Sequence, residues 1–170
     1  MSWPKARRLI QLLARVVLGV ALIVAGAQKL PNLTQSVVAV KAYQFGFSEE
    51  VNQIIGYALP VVEIVVGLAI LVGWASRFAA IVAVVMLAVY IGAISSAWAR
   101  GLTIDCGCFT PGGALTDPGQ STAYLQDIVR DIGLIILAGW VIIWPRSPWS
   151  IDAWLTPAAP PIDPIITVLD

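Results

Sequence analysis

Four long apolar runs, roughly residues 9–30, 51–74, 78–98 and 123–144, alternate with polar gaps along the chain. About 20 apolar residues in helical conformation span the hydrocarbon core of a bilayer, and each run is of that length. The pattern predicts an all-α integral membrane protein, an antiparallel bundle of four transmembrane helices. The gap between the second and third runs, Ala75-Ser76-Arg77, is so short that it makes those two helices antiparallel neighbours. The first run follows a basic flank (Lys5, Arg7, Arg8) and has small residues at Ala25-Gly26-Ala27, as a signal peptide does. It is too long for a signal core and contains Arg15, so it reads as an uncleaved span. Residues 1–145 form the membrane domain. Residues 146–170, with five prolines, two tryptophans and no hydrophobic period, read as a cytoplasmic tail that builds no core of its own.

Polar and small residues inside the runs recur with helical spacing. Arg15, Gly19, Leu22, Gly26 and Lys29 share one face of the first helix, and Gly56, Pro60, Glu63 and Gly67 share one face of the second. The glycines let helices approach closely. Arg15, Lys29 and Glu63 are intramembrane charges, expected to face the bundle or the membrane boundary rather than lipid. For Glu63, near the bilayer midplane, the choices are an ion pair with Arg15, proton handling, or simple protonation. The two residues differ in depth by about 7 Å at 1.5 Å per residue, which an arginine side chain partly covers.

The polar gaps carry helix signals. Pro31 and Asn32 end the first helix. Thr34 is a candidate cap for a short helix that turns Val37, Val40 and Tyr43 to the membrane interface. Ser48 is placed to cap the second span, with Glu49 and Glu50 in its first turn, where the helix dipole favours negative charge. The third span, which includes Tyr90 and Gly92, is nearly featureless up to Trp98 and Arg100 at its boundary. Ser121 or Thr122 caps the fourth, whose first turns hold Asp127, Arg130 and Asp131.

Composition sharpens this picture. Of 170 residues, 59% are hydrophobic and 12% charged, too apolar for an ordinary soluble domain. The net charge is zero, which gives no electrostatic footprint for nucleic acid. The absence of histidine removes the commonest general base and metal ligand, and with them hydrolytic triads and most zinc chemistry. No resident metal is expected.

The two cysteines stand one residue apart, in Asp105-Cys106-Gly107-Cys108-Phe109, within the longest polar gap. A disulfide between them needs a bend that Gly107 permits. Such a small ring removes little chain entropy, so a bridge here serves exchange better than stability. Half a metal site completed by a partner, or two unpaired thiols, are the other readings of the same spacing. Phe109 is expected to fold onto the helix ends. Arg100 and Arg130 are the cations placed to lower a thiol pKa, with Asp105 opposing them. Lys5, Arg7, Arg8, Arg77 and Arg146 fall on one side of the membrane and Lys41 and Arg100 on the other, with Lys29 and Arg130 at helix ends there. The bias puts both termini in the cytoplasm and the cysteine loop outside, where disulfides persist.

Arg15, Gly19, Gly26 and Lys29, then Pro60, Glu63 and Gly67, then Cys106-Gly107-Cys108-Phe109 and Arg130-Asp131 together resemble the MauE branch of the DoxX-like bacterial membrane proteins, over roughly residues 10–145. The resemblance implies a four-helix protein of the bacterial plasma membrane linked to extracytoplasmic thiol redox, often beside a thioredoxin-like protein. MauE proteins proper support maturation of a disulfide-rich dehydrogenase. Two functions follow as expectations. In the first, Cys106 and Cys108 are the catalytic pair of a thiol–disulfide oxidoreductase, supported by Gly107, Phe109, Arg130, Asp131 and Asp127. With one pair only, its electrons pass directly to a bound quinone or to a second protein, although no quinone motif can be read. In the second, the chain is an accessory or assembly subunit of a larger membrane complex, for example of the respiratory chain. The disulfide is then a static clip, and residues 146–170 dock to other subunits.

Overall fold

The computed structural model describes residues 3–105, 113–114 and 124–144. Helix α1 (Trp3–Lys29) runs through a 3₁₀ turn (Leu30–Asn32) into α2 (Leu33–Ala42); α3 (Glu49–Val72) and α4 (Ser76–Ala99) follow; two short strands, β1 (Ile104–Asp105) and β2 (Gly113–Ala114), precede α5 (Tyr124–Ile143). Cys106, Gly107, Cys108 and Phe109, the capping candidates Ser121 and Thr122, and the tail 146–170 lie outside the described residues.

Three helical stretches among the described residues are long and apolar enough to cross a membrane: Ala6–Ala42, Glu49–Val72 and Ser76–Ala99. The fourth expected span, α5, forms a helix of 20 residues but carries Asp127, Arg130 and Asp131 in its first turns. Large apolar side chains cover the outer faces, among them Leu13, Val17, Val65, Phe78 and Val85. Arg15, Lys29, Glu63 and Asp131 are instead buried. That distribution suits a lipid surround, because an exposed apolar face of this extent has no other solvent.

The core is shared by four helices: Leu18 and Leu22 of α1, Val66 and Ile70 of α3, Ala79, Ala83 and Leu87 of α4, and Leu134 and Ala138 of α5. The closest contact is α1 on α3. Gly19 lies against Gly67, where a Cβ on either would come within 2.9 Å or less of the other's carbonyl oxygen. Gly26 lies against Pro60, whose carbonyl oxygen would be 2.6 Å from an added Cβ. Small residues at these positions let the two backbones touch.

The connections follow local rules with one exception. Ser48 accepts from the Val51 N–H at 3.4 Å and caps α3, with Glu49 and Glu50 behind it. Gly73, at φ 75, ends α3 in the left-handed conformation. Thr34 does not cap α2: Asn32 does, its Oδ1 accepting from the Gln35 N–H at 3.2 Å. The 3₁₀ turn Leu30–Asn32 leads straight into α2 at Leu33, so the capping position falls two residues earlier than Thr34. Val37 and Tyr43 are also buried rather than interfacial: Val37 lies against Gly56 of α3, and Tyr43 packs with Ile94, Ala97 and Ile104.

Candidate functional site

One end of the fold holds the base of the cysteine loop. β1 and β2 pair antiparallel, Ile104 opposite Ala114 and Asp105 opposite Gly113, so the ends of the segment containing both cysteines are fixed to each other. Ile104 is buried in a cluster with Tyr43, Ile94, Ala97 and Tyr124. The Tyr124 hydroxyl accepts from the Ile104 N–H at 3.0 Å and donates to the Leu102 carbonyl. The first residue of α5 thereby clamps the strand two residues before Cys106. The guanidinium of Arg100 donates to the carbonyls of Tyr43, Gln44 and Ser96 and lies over the Phe45 ring, tying the end of α4 to the α2–α3 connection.

A buried polar cluster lies below. Lys29, the last residue of α1, donates from Nζ to Glu63 Oε1 at 2.6 Å. The Tyr90 hydroxyl of α4 donates to the same oxygen at 2.5 Å. Glu63 is fully buried, and its Oε2 has no hydrogen-bond partner among the described residues. Across a gap of about 10 Å³, large enough for one water, stands Asp131 of α5. Asp131 is 1% exposed. Its Oδ1 accepts from Arg130, while Oδ2 has no partner among the described residues. Arg130 also donates to Asp127 at 2.8 Å. One buried polar patch therefore gathers Lys29, Glu63, Tyr90 and Asp131 from four helices, and Glu63 and Asp131 both line a water-sized space.

Arg15 does not join this patch: of the choices for Glu63, the ion pair with Arg15 does not form, and Lys29 pairs with it instead. Arg15 donates from Nε to the Ile70 carbonyl at 3.0 Å and from Nη2 to the Leu71 carbonyl at 3.1 Å. These are among the last carbonyls of α3, which lack partners inside the helix and attract a cation. The reason is register. With Gly26 against Pro60 and Gly19 against Gly67, Arg15 stands level with the end of α3, about 12 Å along the axis from Glu63. Lys29 approaches Glu63 from the other side, because side chains on a helix slant towards its N-terminus.

Tyr90 and Tyr124 carry contacts that sequence reasoning left unassigned. Tyr90 had a usable signal: a hydroxyl in the middle of an apolar span, away from the interface where tyrosines collect, needs a buried acceptor. Tyr124 had none, since a tyrosine near a helix start at the membrane boundary is ordinary.

Lys29 and Tyr90 also line an apolar cavity of about 410 Å³ between α2, α3 and α4, with Ser36, Tyr43, Phe45 and Gly92 among its other walls. No group of three or more potential metal ligands occurs among the described residues.

Compared with known proteins, the chain matches the family described as methylamine utilisation protein MauE over residues 7–144. No curated protein and no solved structure matches it.

Proposed function

The chain belongs to the MauE family, and from that premise we propose that it is a membrane-embedded thiol–disulfide redox protein. Cys106 and Cys108 exchange electrons with an extracytoplasmic thioredoxin-like partner or client. The observation that carries the reading is the clamped loop base. The strand pair and the Tyr124 hydroxyl hold the ends of a segment whose two cysteines have only one glycine between them. A thiol pair on a fixed base suits attack on a partner's sulfur, which needs in-line approach.

In this reading α5 is the fourth membrane span of an antiparallel four-helix bundle. Its support is the outward apolar face of α5, where Leu125, Val129, Ile136 and Ile143 are all more than 60% exposed. Both termini are cytoplasmic, the cysteine loop is extracytoplasmic, and the membrane is the bacterial plasma membrane.

The test is the redox state of the two cysteines in intact cells, read by thiol-trapping mass shift before and after a pulse of reductant. Cycling between dithiol and disulfide is expected, with Cys106→Ser or Cys108→Ser leaving the protein folded but a client's oxidation lost. A pair that never changes state, joined to loss of a complex on deleting residues 146–170, overturns the reading in favour of an accessory subunit with a static clip.

A further inference from the structure

We propose that the cavity between α2, α3 and α4 binds the headgroup of a lipid-soluble quinone, the two-electron acceptor for the Cys106–Cys108 thiols. The electron donor in this proposal rests on the thiol-redox reading; the binding site does not.

The cavity has the size of a small-molecule site, about 410 Å³, and its walls are almost wholly apolar. Two of its polar lining residues, Lys29 and Tyr90, meet on Glu63. The Lys29 ammonium has three N–H donors, and Glu63 Oε1 takes one. The Tyr90 hydroxyl stands beside it on the same carboxylate oxygen. Lys29 keeps N–H donors for a ligand, while the Tyr90 hydroxyl gives its one proton to Glu63, so the ligand brings an acceptor such as a ring carbonyl for the ammonium.

Charge narrows the class. Lys29 is matched by Glu63 at 2.6 Å, and the neighbouring Asp127, Arg130 and Asp131 add a further acidic excess. A phosphate headgroup would meet no net positive charge there, whereas a neutral carbonyl loses nothing. The aromatic rings of Tyr43, Phe45 and Phe47, also among the lining residues, suit a flat ring.

Position links the cavity to the thiols. Tyr43 lines it and packs in the same cluster as Ile104. Ile104 precedes Cys106 by two residues, and two peptide units reach at most about 7 Å. The chain has no second cysteine pair to relay electrons, so an acceptor must sit close to the first.

The step balances. The two thiols lose two electrons and two protons as the S–S bond forms; the quinone gains two electrons and two protons and leaves as hydroquinone. Tyr90 and Glu63 supply the proton path to the carbonyl held in the cavity, and Asp131, across the water-sized gap, extends it. The two protons released by the thiols equal the two taken up.

The experiment uses the full chain in phospholipid nanodiscs with decylubiquinone as the probe. Affinity is read by quenching of tryptophan fluorescence and the site by cross-linking of an azido-quinone. Electron transfer is read from quinone absorbance alongside a thiol count. Reduced protein is expected to convert one quinone per disulfide formed, and the cross-link is expected on peptides containing Tyr43 or Tyr90. Gly92→Phe fills the cavity from a position where an added Cβ meets nothing within 4 Å. It should weaken quinone binding tenfold or more at unchanged thermal stability, as should Leu59→Phe from the facing wall. The Cys106→Ser/Cys108→Ser variant should bind as the wild type does and reduce none. Equal affinity in both cavity-filling variants, or complete displacement of the probe by added phospholipid, overturns the site in favour of an acyl chain as occupant. Bound quinone that stays oxidised, in protein whose thiols do exchange with a thioredoxin-like partner, overturns the acceptor role. Thiols that never cycle in cells, with cavity-specific binding intact, remove the redox reading and leave the quinone site standing.

Discussion

Replacing Glu63 by Gln removes the counter-charge of a lysine whose side chain is 7% exposed and whose Nζ lies 2.6 Å from the lost oxygen. Truncating one partner of a buried ion pair costs about 3–5 kcal/mol, because the other charge is left without compensation. Lys29→Met strands the carboxylate instead, but the Tyr90 hydroxyl still donates to it. A hydrogen bond to a charged group retains about 1.5–3 kcal/mol, so this change should fall at the lower end of the range. The double variant Lys29→Met/Glu63→Gln buries no unpaired charge and should cost under about 2 kcal/mol, since replacing a whole buried pair is often near neutral. The coupling between the two sites is then at least about 4 kcal/mol. Arg15→Gln provides the control. It donates to the Ile70 and Leu71 carbonyls, while Glu63 takes its bonds from Lys29 and Tyr90. Its effect should add to that of Glu63→Gln within about 0.5 kcal/mol, as separated sites do. Reversible unfolding in mixed micelles, followed by far-ultraviolet circular dichroism, gives all the values needed. Rescue of Glu63→Gln by Arg15→Gln rather than by Lys29→Met would refute the register on which this reasoning rests.

Gly26→Ala puts a Cβ 2.6 Å from the Pro60 carbonyl oxygen, so α1 and α3 must separate; a loss of about 1–3 kcal/mol or more is expected in the same unfolding assay. Gly92→Ala meets nothing within 4 Å and should be neutral or stabilising by up to about 1 kcal/mol through helix propensity. Tyr124→Phe leaves the Ile104 N–H without its acceptor, at about 1–3 kcal/mol locally. Faster amide exchange at Ile104 and faster alkylation of Cys106 in the reduced protein should report it, and unchanged rates at both would show that the clamp is not used. A membrane-impermeant maleimide should reach the reduced cysteines of whole cells from outside; labelling only from the cytoplasmic face of inverted vesicles would reverse the proposed topology.

The hydrophobic pattern determined the helices, because an apolar run long enough to cross a bilayer has few alternatives to helix when its own backbone must satisfy every donor and acceptor. Local chemistry determined the cap at Ser48, whose hydroxyl needs only its own neighbours. Helical spacing determined that Gly19 and Gly26 share a face, as do Gly56, Glu63 and Gly67, since those positions follow from the period of one helix. Which charge meets which partner was decided only by the packed structure. Arg15 and Lys29 lie on the same face of α1, yet the contact of Gly26 with Pro60 sets a register that gives Arg15 the end of α3 and Lys29 the carboxylate. The hydroxyl of Tyr90, the burial of Asp131 beside Glu63, and the clamp from Tyr124 to Ile104 likewise depend on residues 20 to 68 positions apart in the chain. A one-dimensional period carries no information about the offset between two helices. That offset comes from how their small residues interlock, and it is what turned isolated polar positions into one buried cluster beside a cavity.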